Sequence, residues 1–209
     1  MDDPDLKTLQ KDPAYQAYMA FNDKYGEIQK ATKEANTMLA KGNRLFIAGL
    51  REMNPDRKYA PDANSSMRLT YGTVQGYHPA DAVYYEYYTT LEGVMEKDDP
   101  DNNDFIVPEK LKTLYEAKDY GRYGENGVMK TCFLTNHDIT GGNSGSPVIN
   151  ARGELLGLAF DGNWEAMSGD IAFETNYQRT ISVDIRYVLF IMDKYAGAKH
   201  LVDEMTLTY

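Results

Sequence analysis

The sequence predicts an α+β chain, mainly β with helices: a helical segment over residues 1–60, then a single antiparallel β-barrel over residues 61–209. Three observations predict it. Apolar residues recur at three- and four-residue steps from Asp12 to about Met53, aromatic and β-branched runs follow Pro61, and Asp184 opens a last amphipathic stretch. With 209 residues, 42% of them hydrophobic and 17 of them tyrosine, the chain is long enough to pack a core.

The elements follow in order. Asp12 caps a helix with Pro13 at its first position, and Tyr15, Tyr18, Tyr25, Ile28, Thr32, Ala35 and Leu39 line one face. Gly42-Asn43 is expected to break it into two helices, the second carrying Leu45, Phe46, Leu50 and Met53. Asn54-Pro55-Asp56 and Tyr59-Ala60-Pro61-Asp62 then stop helix formation. Met67–Tyr71 alternates as a strand does, and Val83–Thr89 is rich in strand-favouring aromatics. A helix is expected from Pro108 to about Ala117, with Leu111, Leu114 and Tyr115 inward. Strands are expected at Val128–Leu134, Ser146–Asn150, Glu154–Phe160 and Arg179–Val183, with a hairpin turn at Arg152-Gly153. Residues from about 65 to 183 would make a six-stranded barrel, closed by the helix that Asp184 caps.

Charge and composition exclude several functions. A net charge of −10 argues against nucleic acid or an anionic membrane surface as partner. No run of about 18 apolar residues is present to span a bilayer. The acidic start Met1-Asp2-Asp3-Pro4 does not read as a signal peptide. The single cysteine, Cys132, excludes an internal disulfide and a cysteine-rich zinc site, and reads as a buried strand thiol. Asp99-Pro-Asp101-Asn-Asn103 imitates a calcium loop, but Asp104 stands where that loop needs Gly and Lys110 where it needs Glu. No metal and no cofactor is expected.

The segment richest in chemistry is Gly142-Asn143-Ser144-Gly145-Ser146-Pro147, before the apolar pair Val148-Ile149. A serine among small residues, with Gly two positions earlier, can sit on a tight turn with its Oγ exposed. The N–H groups of Gly142 and Ser144 could then converge on one oxyanion. The alternative is a polar hairpin turn. Ser146 stands where the G-x-S-x-G pattern needs Gly, which weakens an α/β-hydrolase elbow.

Thr140–Val148, Gly153–Asp170 and Gln178–Leu189 resemble the bacterial dipeptidyl-peptidase 7 and dipeptidyl-peptidase 11 family. Leu69–Val74, Tyr88–Lys97 and Val107–Leu111 are similar to it as well. The resemblance implies a chymotrypsin-fold serine peptidase, secreted to the periplasm or cell surface of Gram-negative bacteria, that releases dipeptides from peptide N-termini. It implies that the barrel is trypsin-like, the C-terminal half of a double barrel, and that the helices before Pro61 leave an inserted helical domain. Ser144 would be the nucleophile and Gly142 an oxyanion donor.

The strand ending at Phe160 would wall the specificity pocket. Asp161 would hold the substrate's free α-ammonium, and Gly162 would lie beside the side chain preceding the scissile bond. Gly in place of the Arg of dipeptidyl-peptidase 11 types implies an apolar or aromatic preference there. An Asp-Gly hairpin turn accounts for the same two residues without function.

Family members are several times longer, and a triad of this type carries His and Asp ahead of Ser. His78, His137 and His200 each read as solvated loop or tail histidines. The isolated chain is therefore expected to be inactive without the N-terminal half of the same enzyme, with a homodimer possible for the whole. The alternative is a non-catalytic relic or peptide-binding module.

Overall fold

The computed structural model describes residues 6–56, 65–169 and 173–208. The chain divides into two compact units, Met1–Ser66 and Met67–Tyr209. The breaker Tyr59–Asp62 and the expected boundary between residues 60 and 61 lie outside the described residues.

The first unit holds a short helix α1 (Leu6–Leu9) and the 41-residue helix α2 (Pro13–Met53). The Asp12 carboxylate accepts from the backbone N–H of Ala14 at 2.8 Å and of Tyr15 at 3.0 Å, and Pro13 follows as the first helical residue. The expected break at Gly42-Asn43 does not occur. A glycine inside a helix costs about 1 kcal/mol relative to alanine, too little to stop propagation from good helix formers on both sides. No residue of α2 is buried, and Phe21, Tyr25, Met38, Leu39 and Phe46 are all exposed. The helix ends where the Asn54 backbone N–H and side-chain amide both donate to the Leu50 carbonyl, at 3.1 and 3.2 Å.

The second unit carries two antiparallel sheets. One is the hairpin of β1 (Tyr77–Ala80) and β2 (Val83–Tyr85). The other has five strands: β3 (Tyr88–Thr90), β4 (Lys130–Thr135), β5 (Pro147–Ile149), β6 (Leu155–Gly162) and β7 (Thr180–Asp184), in the order β3-β4-β7-β6-β5. Helix α3 (Leu91–Glu96) and helix α4 (Glu109–Glu116) lie between β3 and β4 in sequence. Helix α5 (Ile185–Phe190) follows β7 directly, and α6 (Lys199–Asp203) comes last.

This corrects the barrel. The five-stranded sheet is open, with β3 and β5 as its edges. Met67–Tyr71 forms no strand; its Met67, Leu69 and Tyr71 side chains are 95%, 82% and 88% exposed. That segment reaches the sheet only further along, through the bridge of Val74 to Thr135. Among the described residues more lie in helices than in strands, so the fold is mixed α/β with two small sheets.

The physical reason is where the apolar side chains go. Leu91, Val107, Leu111, Tyr120, Tyr123, Met129, Leu189, Phe190 and Val202 form the core. Most of them sit on helices and connecting turns beside the sheet. The alternating buried positions of β4 and β7 instead include Thr131, Thr135, Thr180 and Ser182, which give a closed barrel little to bury.

Two details fix the sheet's register. Gly157 on β6 leaves the space for the Phe133 ring: a Cβ there would stand 2.7 Å from that ring and 2.2 Å from the Val183 carbonyl. Asp184, the last residue of β7, caps α5 by accepting from the Arg186 N–H at 2.9 Å, and its carboxylate pairs with the Arg186 guanidinium at 2.6 Å. Phe190 is completely buried and packs edge-on against Tyr120. Phe190→Ala is therefore expected to lower the stability of this unit by about 3–5 kcal/mol, read as a fall in the denaturant midpoint at unchanged slope.

Candidate active site

Ser144 lies on an exposed turn that two glycines in the left-handed region make possible: Gly142 with φ +101° and Gly145 with φ +80°. The turn closes locally, with the Asn143 N–H donating to the Thr140 carbonyl at 3.1 Å and the Asn143 side chain accepting from the Thr140 N–H at 3.1 Å. Its far side is zipped onto β6: the Gly145 N–H donates to the Ala159 carbonyl at 2.7 Å, and the Ala159 N–H to the Ser146 carbonyl at 3.0 Å. Among the described residues the N–H groups of Gly142 and Ser144 donate to no backbone carbonyl. These are the two donors that the sequence proposes for an oxyanion.

The partner strand is irregular where it passes the serine. Ala159 pairs with Ser182 and Asp161 with Ile181, so Phe160 is an extra, bulged residue. Its carbonyl accepts from the Ser144 hydroxyl at 3.4 Å. The bulge thus brings Phe160, Asp161 and Gly162 beside the turn. Asp161 is exposed, and its carboxylate accepts from the Gly162 N–H at 2.8 Å.

Gly162 is less open than the sequence suggests. A Cβ at that position would come within 3.0 Å of the Ala166 Cβ. Trp164 and Met167, on the turn that follows, are exposed.

No histidine serves Ser144 among the described residues. His78 Nδ1 lies 3.0 Å from the Val83 carbonyl, with its ring against Tyr84. His200 is exposed on α6. His137, in the loop leading to the turn, is half-buried, and burial pushes its imidazole below the ordinary value despite the neighbouring Asp138. Cys132 is half-buried on β4, and burial pushes its thiol up and away from the reactive thiolate.

Sequence reasoning missed the groups that hold the far end of β6. Asn163 is buried, with its carbonyl oxygen accepting from the Arg179 N–H at 2.8 Å. Its amide donates to Tyr177 O at 2.7 Å and to Glu165 Oε2 at 2.8 Å. The same Glu165 oxygen accepts from the Tyr77 hydroxyl at 2.9 Å. Arg179 is also buried. Its guanidinium faces no carboxylate among the described residues but donates to the carbonyls of Gly76, Thr175, Asn176 and Gln178, over the Tyr77 ring. Position 179 stands at the start of an expected strand, where a charged residue reads as a solvated end; nothing local marks it as buried.

The expected strand Met67–Tyr71 was placed in the sheet; instead it brings Arg68 to the serine turn. One guanidinium nitrogen stands 3.6 Å from where a Cβ on Gly142 would be.

The comparisons with known proteins come to one family. The model of the Peptidase S46 family matches residues 1–207. The chain is 57% identical to dipeptidyl-peptidase 7 of Phocaeicola vulgatus over 98% of its own length and 28% of that protein's. It is 48% identical to the Asp/Glu-specific dipeptidyl-peptidase of Porphyromonas gingivalis, over 98% of its own length and 28% of the relative's. Solved structures of Porphyromonas endodontalis DPP11 with the dipeptides Arg-Glu and Arg-Asp superpose with TM-scores of 0.84 at 47% identity. They cover 98% of this chain and 29% and 30% of theirs. The chain thus spans under a third of the length of these relatives.

These complexes overturn the expected apolar or aromatic preference, because the solved neighbours hold dipeptides ending in an acidic residue. The reason lies at Gly162. The space that was read as an apolar pocket is narrowed by Ala166, and a missing side chain carries no information about the charge it admits.

The Arg179 contacts yield a test. Removing the guanidinium strands several inward-facing carbonyls, each at about 1–3 kcal/mol. Arg179→Ala is expected to cost roughly 3 kcal/mol or more in unfolding free energy, and Arg179→Lys to recover little, since one ammonium cannot span the same carbonyls. A lysine variant as stable as the native protein, by urea titration, would show that the fork is dispensable.

Proposed function

The chain belongs to the peptidase S46 family, and on that premise we propose that it carries the nucleophile of a serine dipeptidyl-peptidase, with Ser144 as the attacking group. The observation that carries the reading is the Ser144 turn: an exposed hydroxyl on a two-glycine turn, with the Gly142 and Ser144 N–H groups free of backbone partners among the described residues. Such donors stabilise charge as it develops on the carbonyl oxygen, where they are worth most.

In this mechanism a peptide with a free N-terminus lies against the end of β6. Asp161 holds the α-ammonium, an anion suited to that cation. Phe160 and Gly162 flank the residue before the scissile bond, and we take that residue to be acidic, by analogy with the Asp/Glu-specific relatives and the DPP11 complexes. Ser144 Oγ attacks the second carbonyl and gives its proton to the base, and Gly142 and Ser144 N–H receive the oxyanion. The peptide bond breaks as the shortened peptide leaves as an amine carrying that proton, and water then hydrolyses the acyl-enzyme to release the dipeptide and restore the Ser144 hydroxyl. The Ser144 hydroxyl donates to the Phe160 carbonyl and no histidine meets it among the described residues, and we take the base that accepts its proton to come from the remainder of the enzyme. We place that enzyme in the periplasm or at the cell surface, assembled with its N-terminal half and as a homodimer.

The test uses the complete enzyme. Ser144→Ala is expected to lower kcat by about 10⁶-fold on dipeptidyl arylamides, and to abolish labelling by a fluorophosphonate. Native enzyme is expected to turn over reporters with Asp or Glu before the scissile bond faster than those with Leu or Phe. Labelling that persists in the alanine variant would remove Ser144 from its role, and the reverse substrate order would overturn the acidic preference.

A further inference from the structure

We propose that Arg68 is a specificity-determining residue that binds a carboxylate of the substrate beside the nucleophile turn; this rests on the reading of Ser144 as a dipeptidyl-peptidase nucleophile. Three observations carry it.

The first is position. An Arg68 guanidinium nitrogen lies 3.6 Å from the Cβ site of Gly142, the residue proposed to donate to the oxyanion. A planar fork of N–H donors therefore borders the reacting carbonyl on the Gly142 side, and Phe160 borders Ser144 at 3.4 Å through its carbonyl.

The second is anchorage. The segment after Arg68 is pinned to the strand end that leads into the nucleophile loop. Thr73 N–H donates to Asn136 Oδ1 at 2.7 Å, Asn136 N–H to the Thr73 carbonyl at 3.1 Å, and Gln75 N–H to the Leu134 carbonyl at 3.2 Å. Gly72 permits this approach: a Cβ there would stand 2.4 Å from Asn136 Oδ1 and 2.8 Å from the His137 nitrogen. Arg68 is thus delivered by a short tether to a fixed place, although its own side chain is exposed.

The third is charge. Among the described residues Arg68 is in no ion pair, in a chain of net charge −10. Gly162, on the other flank, offers no cation. A guanidinium in no ion pair among the described residues, in front of a site whose solved relatives hold dipeptides ending in Glu or Asp, matches a substrate carboxylate in geometry and sign.

That carboxylate has two sources: the side chain of an Asp or Glu before the scissile bond, or the C-terminal carboxylate of a short peptide on the leaving side. Two arms separate them in the complete enzyme. One compares dipeptidyl arylamides ending in Glu and in isosteric Gln, which lack a C-terminal carboxylate. The other compares a tripeptide with a neutral second residue, as free acid and as C-terminal amide. In Arg68→Gln the kcat/KM ratio of charged to neutral substrate is expected to fall about tenfold in one arm, with Arg68→Lys intermediate because an ammonium keeps the charge and loses the fork. A fall in the first arm assigns the side chain, in the second the terminus. Equal losses on charged and neutral substrates, or a native ratio near one in both arms, would overturn the proposal. A native enzyme that releases no dipeptide from any of these substrates would instead overturn the underlying reading.

Discussion

A buried guanidinium that is in no ion pair among the described residues organises the face that carries the candidate site. Arg179 satisfies its donors with backbone carbonyls, and those carbonyls belong to two stretches far apart in sequence: Gly76, at the entry to β1, and Thr175 to Gln178, ahead of β7. Burial alone pushes an arginine toward neutrality, as it does here, but the group starts so far above neutral pH that it stays charged. The desolvation cost is offset only while every carbonyl stays in place. The interaction is therefore cooperative, and Asn163 joins it by accepting the Arg179 N–H and donating to Tyr177.

From that knot outward, the site is a sequence of small irregularities that each free a polar group. The bulge at Phe160 brings that residue's carbonyl within 3.4 Å of the Ser144 hydroxyl. The positive φ of Gly142 and Gly145 turns the chain so sharply that the serine's own amide leaves the backbone network. Regular strands would have satisfied these groups and left nothing for a ligand. The polar groups of the candidate site are positioned by departures from the sheet, and the sheet is the reference that makes them reproducible.

Local signals in the sequence read well where one residue type decides the outcome. Asp12 and Asp184 cap their helices. Gly153 takes the left-handed turn of the β5–β6 hairpin, and Leu111 is buried on α4. The Ser144 turn was legible for the same reason, since glycine spacing constrains the backbone directly, whereas Asp161-Gly162, which also reads as a hairpin turn, ends β6 as paired strand residues. Tertiary matters were not. Met67–Tyr71 alternates like a strand, yet alternation needs a partner and a face to bury, and it has neither. Gly42 punctuates a pattern that the helix simply continues through. Barrel closure was expected from strand spacing and the chymotrypsin-like serine turn, although the apolar side chains belong to the helical flank. Arg68, Asn163 and Arg179 carry no local pattern at all, because their roles arise only when segments far apart in sequence meet.

Asp184 ends β7 opposite Gly157 and begins α5. One residue is therefore both a rung of the sheet, through its backbone, and the first anchor of the helical layer, through its carboxylate. A slip of β7 by a single residue would turn this group to the opposite face, uncap the helix and present a side chain with volume to the space that Gly157 reserves for Phe133. Misalignment is penalised in two layers at once. The alignment of Asp161 and Gly162 with β7 is in this sense proofread from the opposite end of the strand, by the helix that follows it.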